Sequence, residues 1–264
     1  MLMLTHTYIL QNILGVSGIK NLHSDIFVYN IVPDLLTIHP GVNSRQTHQI
    51  KRILQIPPLY PKAAYIMLHL LVDDLCHYGE ICSGIPDEFN PDSQGYCYIK
   101  GKPIINSIMD FQKKVNKEIS YNEAAYRSHL IVEMIYDLAI IEQIKKSDTI
   151  KVLRDAMCAV IEEDRDEFTS TINWLYGLDK TEIRDVMQRS QSYLTEDKIQ
   201  KTMTIEGRIR LYAFKFGIPI DDQLYLAGIE KIFLQARELL DDNEIFLRET
   251  AEAVKKYGWL PPVT

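Results

Sequence analysis

Apolar residues recur at three- and four-residue intervals along most of the chain, the spacing that lays one stripe along an α-helix. The pattern predicts a first helix over 5–15, with Thr5 as its N-cap. The stretch 30–43, NIVPDLLTIHPGVN, is interrupted by Pro33, Pro40 and Gly41 and reads as a loop with a short helical turn. Ser44 opens a helix over 44–55, ended by Pro57, Pro58 and Pro61. The next helix covers 62–79, with Gly79 as its C-cap. Residues 80–103 are rich in Gly, Pro, Asp, Asn and Ser; a lid, disorder and a small hairpin through Tyr96, Cys97 and Tyr98 all fit such a stretch. A long helix follows over 121–146. Beyond Asp148, helical stretches alternate with breaks at 177–179, 217–219 and 258–262, and the last strong helix spans 221–257.

No internal repeat, low-complexity tract or linker divides the sequence. The expectation is one all-α domain over 1–264, in which residues 147–264 form a helical extension packed on residues 1–146. A hydrophobic content of 46% is enough for a substantial core. The net charge of −7 argues against nucleic acid as the main partner, because phosphate backbones want a basic surface. Bound cations would still let an acidic protein act on a phosphate ester. The segment MLMLTHTYILQNILG has neither a basic region nor a small-residue cleavage site, and no run reaches ~20 apolar residues. Neither a signal peptide nor a transmembrane segment is expected. Four cysteines without a CxxC motif fit reduced thiols in a cytoplasmic protein.

The histidines change the picture. All seven lie in the first half of the chain, and His69, Asp73 and His77 follow one another at four-residue steps. At 100° per residue each step drifts by only about 40°, so the three share a helix face, with Cβ atoms of neighbours about 5–6 Å apart. A second set, His129, Glu133 and Asp137, repeats the spacing within an apolar run. A carboxylate buried between imidazoles is costly unless a cation offsets it. A polar stripe facing water is the plainer account of the second set, but that stripe is narrow and free of Lys. Cys76, beside His77, could be a soft ligand, although its apolar helix argues for a buried thiol. Asp74 lies about 100° round from Asp73 and is expected to orient a ligand or cap a neighbouring helix. His39 stands between loop residue and outer ligand, and nothing around His23 suggests a role.

In order, His6, Asp34, His48, His69-x3-Asp73, His77 and His129-x3-Glu133 resemble the ligand series of the zinc-dependent phospholipase C family, whose all-helical domain is shared with single-strand-specific zinc nucleases. The likeness covers roughly residues 5–137 and includes the fourteen-residue interval from Asp34 to His48. It implies that Asp34, His48, His69 and Asp73 hold one zinc and that His77, His129 and Glu133 hold a second. His6 would hold a third, with Asp73 as a bridge. The chain departs from the family in lacking an amino-terminal Trp, leaving His39 or Asp74 to complete the third site, and in a shorter gap from Asp73 to His77. Two or three divalent ions are therefore expected, zinc first, with iron or manganese also compatible with mixed His and carboxylate donors. The implied activity is hydrolysis of a phosphate ester, small-molecule or lipid head group, with Asp34 as ligand and proton acceptor. A helical interaction module with a structural or vestigial metal site is the alternative. An open coordination position would separate the two.

Overall fold

A computed structural model describes residues 2–19, 24–86, 90–162, 165–193, 195–219 and 223–259. Every regular element among them is helical. In chain order these are α1 (Met3–Ile19), α2 (Ile26–Leu35), α3 (Ser44–His48), α4 (Ala63–His77), α5 (Tyr96–Gly101), α6 (Ile105–Lys114), α7 (Tyr121–Ala139) and α8 (Ile141–Lys146). The second half adds α9 (Thr149–Glu162), α10 (Arg165–Tyr176), α11 (Lys180–Tyr193), α12 (Glu196–Thr202), α13 (Ile205–Lys215), α14 (Gln223–Glu238) and α15 (Asn243–Tyr257). Among the described residues no helix is long and apolar enough to cross a membrane.

The centre is α4, AAYIMLHLLVDDLCH, whose side chains are buried on every side except at Leu75 and His77. A helix apolar all round needs covering all round. Here α2 lies along it, α5 and α15 pack on it, and the Trp259 indole donates to the Ala64 carbonyl at 2.7 Å. One continuous apolar cluster runs from Leu4 to Trp259 and draws on both halves of the chain.

Where α4 ends, Gly79 takes a φ of 80°, and a Cβ there would stand 2.7 Å from the Gln94 carbonyl oxygen. Only glycine fits such a left-handed, closely approached position without strain. The N-terminus of α7 is capped by Ser120, which accepts from the Glu123 N–H, and that of α3 by an Asn43–Gln46 capping box.

Several expected boundaries are corrected. Residues 30–35, within the stretch expected to be a loop, belong to helix α2, although Pro33 sits inside it. An internal proline costs about 3 kcal/mol, but burial of an apolar side chain contributes about 1.5–3 kcal/mol. Nine of the ten residues of α2 are buried, so packing wins. The helix expected over 44–55 stops at His48, because the Arg52 side chain takes the carbonyls of His48 and Ile50 at 2.7 and 2.6 Å. Residues 96–101 are helical, not a hairpin, so the irregular stretch after His77 is shorter than expected. The helix expected over 121–146 breaks at Ile140. The one expected over 221–257 breaks between α14 and α15, where Asp242 accepts from Tyr96 Oη and Lys100 Nζ, each at 2.7 Å. Thr5 caps no helix, since α1 begins at Met3.

Candidate metal centre

Four elements deliver the first set of residues to one place. Buried His6 comes from α1, Asp34 from the last turn of α2, His48 from the end of α3, and buried His69 and Asp73 from the middle of α4. Asp73 divides its carboxylate between them. Its Oδ1 lies 3.2 Å from His6 Nε2, while its Oδ2 lies 3.3 Å from His69 Nε2 and 3.4 Å from His48 Nε2. Asp34 Oδ1 lies 3.5 Å from His48 Nε2 and 4.0 Å from His69 Nε2. The His6 and His69 rings stack 3.6 Å apart at 14°.

The tautomers explain what this arrangement wants. His69 Nδ1 is 2.8 Å from the Asn30 carbonyl, and His48 Nδ1 is 3.0 Å from the Ser44 carbonyl. A carbonyl only accepts, so each Nδ1 carries a hydrogen and each ring turns its Nε2 towards the carboxylates. A proton or a metal cation between ring nitrogen and carboxylate oxygen would satisfy such a contact. The buried His6 Nε2, His69 Nε2 and Asp34 Oδ2 form no hydrogen bond. Donors bound tetrahedrally at ~2.0–2.1 Å from one ion stand about 3.4 Å apart, close to most of the separations seen here. The donor sets His6, His69, Asp73 and Asp34, His48, His69 each fit within 4.8 Å.

Electrostatics follow from burial. Burial and the neighbouring His69 push His6 down to about 4, so its ring is neutral at ordinary pH. Burial opposes charge on Asp34 and His48 too, but their mutual contact lowers the Asp34 carboxyl and raises the His48 imidazolium.

The second set is brought together less fully. His77 Nε2 contacts Glu133 Oε1 directly. Burial disfavours the His77 imidazolium, but the Glu133 carboxylate reverses this and raises it to about 9. His129 is buried beside the pair, its ring 5.6 Å from that of His77 and stacked on Tyr98 at 4.5 Å, and burial holds it down at about 3. The third donor within 4.8 Å of His77 and Glu133 is Cys76 Sγ rather than a His129 nitrogen. The stripe on α7 does not face water: His129, Glu133 and Asp137 are all buried.

Asp137 is an anchor rather than a continuation of the site. It accepts from the Thr5 N–H at 3.1 Å and from the Thr5 hydroxyl at 2.5 Å, and it pairs with buried Arg208 at 2.8 Å. His6 is thereby fixed through the residue before it. His39 is corrected to a loop residue outside the cluster: its Nδ1 accepts from the Gly41 N–H at 3.1 Å and its Nε2 is 3.5 Å from Asp185. Asp74 is not left to complete a third site, because Arg52 occupies it. His23 lies outside the described residues.

The cluster opens on one side. Asp34, His48 and His77 keep 21%, 19% and 23% of their side-chain surface exposed, while His6 and His69 keep none. The exposed edges line a cleft of about 1100 Å³ that also reaches Tyr98, Tyr126 and Glu133. Arg45, Lys198, Lys201 and Lys215 stand on its walls together with the carboxylates of Asp34, Asp73, Asp74, Glu133 and Asp137. Sequence reading missed Asn30, whose Nδ2 donates to the His6 carbonyl at 2.8 Å while its own carbonyl holds His69. A lone amide within FVYNIVP was the available signal.

Compared with protein-family models, curated proteins and solved structures, the chain matches none.

Proposed function

We propose that this chain is a metal-dependent hydrolase of phosphate esters, with a phosphodiester as its substrate class. One observation carries the reading: His6, Asp34, His48, His69 and Asp73 converge with Nε2-to-carboxylate separations of 3.2–4.0 Å while the buried His6 Nε2 and His69 Nε2 form no hydrogen bond. The likeness of their order to the zinc-dependent phospholipase C series supports the same reading, with zinc as the first candidate. Asp34, His48, His69 and Asp73 would hold one ion, His6 and Asp73 would share in another, and His77 with Glu133 would contribute to a further one.

Divalent ions bound there would supply acidification of a water and neutralisation of charge growing on phosphoryl oxygens. The chain's own residues do the rest. Asn30 and Ser44 fix the tautomers of His69 and His48, so their Nε2 lone pairs stay directed inwards. Asp34, whose side chain is partly exposed and whose buried Oδ2 forms no hydrogen bond, would accept the proton. Arg45, Lys198 and Lys215 on the cleft wall would attract an anionic substrate once bound cations offset the carboxylates beneath them. The partial exposure of Asp34 and His48 favours catalysis over a structural site closed by four protein ligands.

The test is turnover of an aryl phosphodiester and monoester by protein reloaded separately with zinc, manganese and iron. Turnover with at least one metal is expected. No turnover by metal-loaded protein with any of them sinks the hydrolase reading and leaves the structural-site alternative.

A further inference from the structure

Cys76 on α4 and Cys97 on α5 meet sulfur to sulfur, with Sγ atoms 2.7 Å apart and both side chains fully buried. Non-bonded heavy atoms ordinarily rest about 3.5–4.0 Å apart. A disulfide closes at about 2.05 Å. The two helices hold the sulfurs in this contact. A Cβ on Gly95, just before α5, would lie 2.1 Å from the His77 carbonyl carbon, and the Ser93 hydroxyl donates to the His77 carbonyl. One on Gly101, at the other end of α5, would lie 2.7 Å from Ser128 Oγ. Clamped at both ends, α5 cannot carry Cys97 away from Cys76 without opening its packing on α4 and α7.

We propose that Cys76 and Cys97 are a reversible oxidation site, closed into a disulfide by a small peroxide. Two S–H bonds break and one S–S bond forms. The two electrons and two protons pass to the peroxide, which for hydrogen peroxide leaves as two waters. Small dithiols reverse the step, so in a reducing compartment the bond is transient. The cross-link ties the end of α4 to α5 and closes the chain between residues 21 apart. Cys82, partly buried, and Cys158, exposed, are internal controls.

The reduced full-length chain is treated with hydrogen peroxide, quenched, denatured, alkylated and mapped by mass spectrometry. A protease cutting after acidic residues is needed, because no Lys or Arg lies between Lys62 and Lys100, whereas cuts after Glu80 and Asp92 separate Cys76, Cys82 and Cys97. The expected product is a Cys76–Cys97 peptide pair two hydrogens lighter than the separate thiols, lost on treatment with dithiothreitol. Closing a loop of this length should also raise Tm by about 5 °C, a rise that C97S should not show. The wild-type map decides the matter even if C97S fails to fold. Recovery of Cys76 and Cys97 as alkylated thiols while Cys158 is oxidised would overturn the proposal. So would a Cys76–Cys82 pair, or Cys76 found as a sulfinic acid.

Discussion

Arg52 grips Asp74 with two nitrogens, Nε to Oδ2 at 3.0 Å and Nη2 to Oδ1 at 2.5 Å, and both side chains are buried. The remaining nitrogen, Nη1, donates to the His48 carbonyl at 2.7 Å, while Asp74 also accepts from the Cys82 N–H at 3.0 Å. The pair therefore joins three segments: the turn that carries His48, the helix that carries His69 and Asp73, and the chain just beyond His77.

Asp74→Ala leaves the Arg52 guanidinium buried without its counter-ion, a change that costs about 3–5 kcal/mol. The urea midpoint should fall accordingly with an unchanged slope. Metal affinity should fall as well, since His48 loses its tether. A stability loss under about 1 kcal/mol would mean that the pair behaves like a surface ion pair.

Metal removal tests the centre directly. Purified protein should contain at least two equivalents of divalent metal, and His69→Ala should reduce that number by deleting the donor shared by both sets around Asp34 and Asp73. An ion at a thousandfold excess over its dissociation constant stabilises the fold by about 4 kcal/mol, which in a chain of this size corresponds to a Tm shift of about 7–8 °C. A chelator should lower Tm by that order. An unchanged Tm after metal has demonstrably left the protein would place the donors on a surface that does not need a cation.

The site was more legible in the sequence than the helix boundaries were. His69 and Asp73 share a face because four-residue spacing fixes it whatever the fold, whereas His6, Asp34 and His48 reach them from three other helices, a convergence that only the resemblance implied. Asp34 was placed in a loop and stands on a helix. Pro33 is a strong local signal, and only the burial of α2 against α4 overrides it. The break between α14 and α15 was invisible for the same kind of reason: Tyr96, Lys100 and Tyr136 hold residues 242–243 from more than a hundred positions away. The Arg52–Asp74 pair, the Asp137–Arg208 pair and the Cys76–Cys97 contact are likewise relations between helices, and one-dimensional spacing carries no trace of them.

Protons should compete with metal most strongly at His77. In the metal-free protein its pKa is raised from the ordinary 6.5 to about 9, so the stabilisation from its contact with Glu133 is complete below about 6.5 and is lost as pH rises through about 9. Bound metal reverses the preference, because the donor must be neutral. Metal-free protein should therefore lose Tm between pH 7 and 9.5, while metal affinity rises over the same range. Calorimetric titration at pH 7 in buffers of different ionisation enthalpy should register proton release on metal binding, and Glu133→Gln should diminish it. Proton uptake, or release unaltered by Glu133→Gln, would show that another group supplies the proton.

Asp34→Asn is the sharpest test of the chemistry. The amide keeps the shape of the carboxylate and its place at the end of α2, so the fold should survive. It is a weaker ligand, however, and it cannot accept a proton. Hydrolysis of an aryl phosphodiester should fall by a factor on the order of 10² or more, the usual loss for a positioned acid–base group. His39→Ala is the control, since His39 is engaged with Gly41 and Asp185 outside the cluster. It should leave turnover and metal content within twofold of wild type. Measuring kcat and metal content together separates two effects: reduced kcat at full metal occupancy assigns Asp34 to proton transfer, while reduced occupancy assigns it to holding the ion. Equal loss of activity in the two variants would contradict the arrangement drawn from His6, His48, His69 and Asp73, because only Asp34 belongs to it.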